Sequence, residues 1–380
     1  MKKNLIALAV LAASGAAMAQ SSVTLYGILD VLGGRLTVEN KNNVATPSLS
    51  TTKMDTGTVN GTRWGLRGSE DLGGGLNAIF DLQSGFDIST GGSQQGGTLF
   101  GRQAVVGFQG AFGTVKFGRV ITPFFENESG NDVMMGSSLS PQSNVMRTSN
   151  NWSSAGNNGT NAAFETSSLA GYTLRGNNAI RYDTPTIGGF VGQIAYAMDE
   201  STQSTLPQGN TTQPAVTSAA LLYSAGPVNG VLAYQIEKPY QPLGVGAAGT
   251  VYAGTNASDR SFLRLSGQYD FGKIIAKAGY GRAERVNFMQ DGKTNEYQIG
   301  LDYKVSDVMT LTGGIASSKD DASTSNANIE VKRTAYALGG KYVMSKRTFL
   351  YGGYESGKQE KAGSPDATES FLAFGLQHRF

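Results

Sequence analysis

The residues able to do chemistry in this 380-residue chain are charged, and they are few in kind. There is no cysteine, and the one histidine, His378, stands two positions before the final Phe380. Nucleophilic triads and histidine-based proton transfer need an imidazole held inside a site, and transition metals favour clusters of His and Cys. Neither can be assembled here, and no phosphate-cradling Walker loop occurs, so the chain is not expected to be an enzyme or to hold a metal or cofactor. What remains is charge at alternating spacing. Arg63, Gly65 and Arg67 alternate with Trp64, Leu66 and Gly68, and Arg181 sits between Ile180 and Tyr182. In extended chain this parity puts guanidinium groups on one face and apolar side chains on the other. Glu126, Glu128 and Asp132 crowd the stretch from Thr122 to Met135. Opposed charges along a wet surface break no bonds; they set a field that sorts ions.

Strands must position them. Tyr297, Ile299, Leu301, Tyr303 and Val305 share one face, with Glu296, Gln298, Gly300, Asp302 and Lys304 on the other. The last ten residues behave alike: Leu372, Phe374, Leu376, His378 and Phe380 oppose Phe371, Ala373, Gly375, Gln377 and Arg379. One such strand also fits a soluble sandwich. A succession of them with no helical period between predicts a barrel with lipid outside and water inside. Tight turns are expected at 69–75, 110–113, 184–189, 225–230, 270–273, 305–308 and 344–347, where Gly, Pro, Asp and Ser gather. Long polar loops are expected at 37–58, 88–98, 122–174, 200–214, 239–258, 285–294, 318–329 and 357–368. Seven turns and eight loops imply sixteen strands, with both chain ends on the short-turn, periplasmic side. Phe108, Phe190, Tyr223, Tyr269, Tyr303, Tyr342 and Phe349 cluster beside the turns, as an aromatic girdle at the lipid headgroups would.

The N-terminus carries an export signal. Lys2 and Lys3 precede the apolar run Leu5 to Ala13 and the A-x-A site Ala17-Met18-Ala19, so residues 1–19 read as a leader cleaved after Ala19, and 20–380 as the barrel. The apolar run is too short for a spanning helix. Removing Lys2 and Lys3 lowers Lys plus Arg from 31 to 29, which matches the 29 Asp plus Glu. That neutrality gives no footprint for a nucleic-acid partner. With 52 Gly, 17 Phe, 16 Tyr and only 39% hydrophobic residues, the composition suits a barrel, where alternate residues alone meet lipid. Zero cysteine suits a chain that crosses an oxidising periplasm unfolded.

Several blocks resemble the general-diffusion porins of beta-proteobacteria: Ser21 to Gly27, Arg63 to Leu76, Phe100 to Phe108, Phe112 to Arg119 and the closing Gly375-Leu376-Gln377-His378-Arg379-Phe380. The resemblance implies an all-β, sixteen-stranded antiparallel transmembrane barrel in the bacterial outer membrane. It also implies a homotrimer with one pore per subunit and a third extracellular loop folded inward as the constriction. The stretch after Arg119 fits that loop, because Phe124, Phe125, Val133, Met134 and Met135 want a wall to lie against. Alternation with Ala104, Val106 and Phe108 turns Arg102 outward unless a bulge intervenes or it stands above the membrane; the family places an arginine of this block in the pore. Gln83, inward with Asn77 and Asp81, replaces the family's usual Glu and removes a negative charge. The expected constriction is therefore Arg63, Arg67, Arg102, Lys116, Arg181 and Gln83 on the wall, facing Glu126, Glu128 and Asp132. The expected function is passive diffusion of ions and small hydrophilic solutes, leaning to anions. The alternatives are a substrate-specific channel, which would line its lumen with aromatics, and an outer-membrane enzyme. Expected partners are lipid, lipopolysaccharide and, through Phe380, the outer-membrane assembly machinery.

Overall fold

The computed structural model describes residues 22–40, 48–57, 59–146, 172–198, 215–238, 259–284, 293–321, 330–361 and 364–380. The leader and most of the expected loops 122–174, 200–214, 239–258, 285–294 and 318–329 lie wholly or partly outside these residues. The strands are β1 (Ser22–Asn40), β2 (Ser48–Thr56), β3 (Arg63–Gly73), β4 (Leu76–Gly85), β5 (Gln103–Gly110), β6 (Gly113–Ile121), β7 (Arg175–Asp183), β8 (Phe190–Ala197) and β9 (Val216–Ala225). They continue as β10 (Val228–Glu237), β11 (Arg260–Asp270), β12 (Ile274–Glu284), β13 (Lys293–Lys304), β14 (Met309–Asp321), β15 (Val331–Val343), β16 (Thr348–Lys361) and β17 (Ser364–Arg379).

From β3 onward each strand pairs antiparallel with the next, and β17 returns to β1, with Ile28 opposite Arg379. The other edge of β1 is shared: Val31 to Glu39 pair with β2, and Ser22 to Ile28 with β3. β2 and β3 are thus two halves of one stave. Seventeen segments make a closed barrel of sixteen staves, and closure leaves no unpaired sheet edge. All seven expected turns connect neighbouring strands.

The alternation holds in space. Phe374 is 67% exposed and Leu372, Leu376, Tyr297, Ile299 and Leu301 are exposed with it, whereas Phe371, Ala373, Gln377, Glu296 and Gln298 are buried. The exposed apolar face is the one lipid covers; the polar face points inward. The girdle holds at Phe108, Phe190, Tyr269, Tyr303 and Tyr342. Phe349 corrects it. Its cross-strand partner is the buried Gln377, so Phe349 lies on the inner face, where the Lys341 ammonium stands 5.9 Å from its ring centre. Two expected loops are also corrected, because β1 and β2 run through most of 37–58, and β16 and β17 through most of 357–368. Polar sequence misled there: Arg35 and Thr37 meet Ser50 across the strands, and Lys358 pairs with Glu360 on its own strand and with Asp366 on the next, while Leu36, Val38 and Phe371 of the same hairpins are buried.

Residues of the segment from Thr122 to Met146 pack on strand residues. Pro123–Asn127 is a short helix capped by the Thr122 hydroxyl, which accepts from Phe125 N. Phe124 packs among Ala220, Val231, Ala233 and Phe262, and its N–H donates to Ser218 Oγ at 3.0 Å. Met134 and Leu139 pack with Leu32, Leu36, Tyr351 and Phe371. A Cβ on Gly300 or Gly314 would meet the Val133 side chain at 3.0 Å or less, so bare backbone on β13 and β14 admits that close approach.

Candidate functional site

Arg63, Gln83, Arg102, Lys116 and Glu126 meet around one recess of about 440 Å³, together with Asn60, Gly61, Asp81 and Phe125. Register explains most of this. Gln83 faces Gly65 and Asp81 faces Arg67 across β3 and β4, and Lys116 faces Arg181 across β6 and β7. Glu126 is carried in by the first turn of the capped helix. Arg102 arrives because it precedes β5, so strand parity does not govern it.

The arginines are held by backbone oxygens. Arg63 Nη1 donates to the carbonyls of Asn60 and, at 3.2 Å, Gly61; Arg102 Nη2 donates to Asn60 O at 3.5 Å; Arg175 Nε donates to Arg102 O at 3.0 Å and its guanidinium lies 5.3 Å from the Phe125 ring centre. Among the described residues no carboxylate forms an ion pair with Arg63, Arg102 or Arg175. Carbonyl dipoles orient these groups without cancelling their charge, so the rim keeps a positive field. Asp81 accepts from Tyr26 Oη, from Gln83 Nε2 at 3.0 Å and from Gln103 Nε2 at 2.8 Å. The amide at Gln83 therefore supports Asp81, where a glutamate would repel it.

Arg181 and Lys116 are neutralised. Asp183 accepts from Arg181 Nε at 2.8 Å and from Lys116 Nζ at 2.9 Å, and Arg181 Nη2 reaches Glu126. Arg67 lines a neighbouring recess of about 290 Å³ with Lys116, Asp81 and Gln103, its guanidinium 4.8 Å from the Tyr26 ring centre. Glu128 and Asp132 are not brought to either recess. Both are buried; Glu128 accepts from Tyr172 Oη and Asp132 from Ser140 Oγ, so they fasten the segment internally.

Sequence reasoning missed Arg175 and Arg119. Arg175 was hidden from parity, because the register shift between Gly118 and Val120 puts an extra residue on β7 between Gly176 and Ala179, so alternation does not carry from Arg181 to Arg175. Arg119 shares parity with the exposed Phe117, and only a register shift between Gly118 and Val120 lets it reach Gly101 O, at 2.8 Å, and Asn177 Oδ1. Gly118 and Asn178, both at positive φ, are the local marks of that bulge.

A family model described as Gram-negative porin matches residues 6–362. An outer membrane porin protein of Bordetella pertussis is 32% identical over the full length of both chains, and outer membrane porin protein 32 of Delftia acidovorans is 33% identical over 93% of this chain and 88% of its own. Among solved structures, an anion-selective porin from Comamonas acidovorans superposes with a TM-score of 0.68 at 25% identity, covering 95% of this chain and all of that one.

Proposed function

Since the chain belongs to the Gram-negative porin family of the outer membrane, we propose that it forms a water-filled channel for passive diffusion of ions and small hydrophilic solutes, with a preference for anions. The observation that carries the preference is the rim of Arg63, Arg102 and Arg175, which donate to carbonyl oxygens while Arg181 and Lys116 are spent on carboxylates. The anion selectivity named for the Comamonas structure points the same way.

In this reading the segment after Thr122 is an inward third loop that narrows the lumen, with Glu126 as its acidic side and Glu128 and Asp132 fastening it. A transverse field then crosses the narrowest water. A Debye length of about 8 to 10 Å at physiological salt leaves charges across such a gap only partly screened, so ions of each sign keep to opposite sides. Bulky apolar solutes are retarded because they must disturb water ordered by that field. Residues 1–19 are removed on export, Phe380 engages the outer-membrane assembly machinery, and three copies associate among lipid and lipopolysaccharide.

Two measurements test this. Liposome swelling with uncharged solutes of rising size should show a smooth cutoff; saturation by one solute would indicate a substrate-specific channel instead. Reversal potentials in a potassium chloride gradient should show anion preference, and clear cation preference would overturn it.

A further inference from the structure

β2 and β3 are separated by an excursion. Ile28 faces Arg63 and Val31 faces Thr56, so only Leu29 and Asp30 of β1 lie between the partners of the two strands, beside Gly57 and residues 59–62. This excursion supplies the Asn60 and Gly61 carbonyls that receive Arg63, and the Asn60 carbonyl that receives Arg102. Its own backbone is held from one side chain. Asp30, 0% exposed, accepts from Val59 N at 3.1 Å and Gln377 Nε2 at 3.4 Å through Oδ2, and from Tyr351 Oη at 2.8 Å through Oδ1. Its backbone adds a second tie: Asp30 N donates to Thr62 Oγ1 at 3.1 Å, and that hydroxyl donates to Asp30 O at 2.9 Å.

The fit is tight on both sides. A Cβ on Gly57 would stand 1.9 Å from Asp30 Oδ1, and one on Gly61 would stand 2.8 Å from Arg102 Nη1, at a residue whose φ of 64° itself favours glycine. Bare backbone thus lies between the carboxylate and the arginines.

We infer that Asp30 is a positioning residue for ion selectivity: a buried carboxylate, remote from the permeating ion, that fixes the backbone from Val59 to Thr62 and through its carbonyls aims Arg63 and Arg102 into the channel. This rests on those arginines being the basic side of the constriction. An Asn at position 30 keeps the shape but replaces one acceptor oxygen with an amide donor: turned toward Val59 N–H it meets that group donor to donor, and turned toward Tyr351 it makes that hydroxyl accept where it now donates, exchanging a charge-assisted bond for a weaker neutral one.

The sign of the effect separates this role from simple charge. Asp30→Asn removes a negative charge, which alone would strengthen anion preference; loss of the carbonyl platform weakens it. The expected result is that Asp30→Asn channels in planar bilayers shift their potassium chloride reversal potential toward zero and show noisier open-channel current. Tyr351→Phe, which changes no charge, should shift the same way by less, and it decides the matter if Asp30→Asn does not fold. Arg102→Ala is the control. If it shifts the potential while folded Asp30→Asn or Tyr351→Phe leaves it unchanged or moves it toward anions, the positioning role is wrong. If Arg102→Ala itself changes nothing, the arginine reading of the constriction is what fails.

Discussion

Arg181 on β7 and Glu126 on the helix Pro123–Asn127 form an ion pair that ties strand to helix, with Arg181 3% exposed and the Glu126 side chain 42% exposed. The two ends are unequal. Arg181 keeps Asp183 and donates through Nη1 to Ile121 O at 2.9 Å, whereas Glu126 faces the recess.

Glu126→Gln should therefore fold normally, because the buried Arg181 keeps Asp183 and the Ile121 carbonyl when the half-exposed carboxylate is neutralised. Its reversal potential in a potassium chloride gradient should move toward stronger anion preference, since the loop side loses its charge at the recess. An unchanged potential removes Glu126 from the constriction.

Gln83→Glu should act in the opposite direction. It sets a carboxylate beside Asp81, which now accepts the Gln83 amide at 3.0 Å, and adds negative charge to the recess. Anion preference should fall; a rise would mean that this recess does not govern permeation.

Leu66→Arg and Arg63→Leu test the register. Leu66 lies on the face shared with the exposed Leu25, and an arginine there near the bilayer midplane should destabilise the barrel by roughly 2 to 4 kcal/mol. Arg63→Leu should fold and alter conductance. Equal losses of folded, heat-modifiable protein on a gel would put the strand one residue out of register.

Deleting Phe380 should lower the yield of folded barrel. Gly27 and Phe380 exchange two backbone hydrogen bonds of 3.1 Å at the closing seam, and a Cβ on Gly27 would meet the Phe380 ring at 2.3 Å. The deletion removes both bonds and the ring seated on bare backbone. A heat-modifiable band at wild-type intensity would refute this, and Gly27→Val should mimic the deletion.

Arg264 and Glu296 form a fully buried pair between β11 and β13. Arg264→Met leaves a buried carboxylate uncompensated and should cost about 3 to 5 kcal/mol in urea unfolding, while the double variant with Glu296→Met should recover most of it.

The sequence by itself determined the barrel. A period of two cannot be satisfied by helices, so Tyr297 to Val305 and Leu372 to Phe380 declared their outward faces, and all seven tight turns stood where Gly, Pro, Asp and Ser gather. Inward placement of Arg63 and Arg181 followed from the same parity. Tertiary structure decided what those arginines do. Arg102 and Arg175 join Arg63 because a break in one stave, a bulge and a segment packed on strand residues bring distant chain together, and none of these has a periodic signature. Glu126, Glu128 and Asp132 look equivalent in sequence, but packing sends two of them into hydrogen bonds with Tyr172 and Ser140 and leaves the third in the recess. Asp30 shows the same limit: alternation marks it as inward, yet its partners Val59, Tyr351 and Gln377 meet only once the barrel closes, because closure alone sets β17 beside β1.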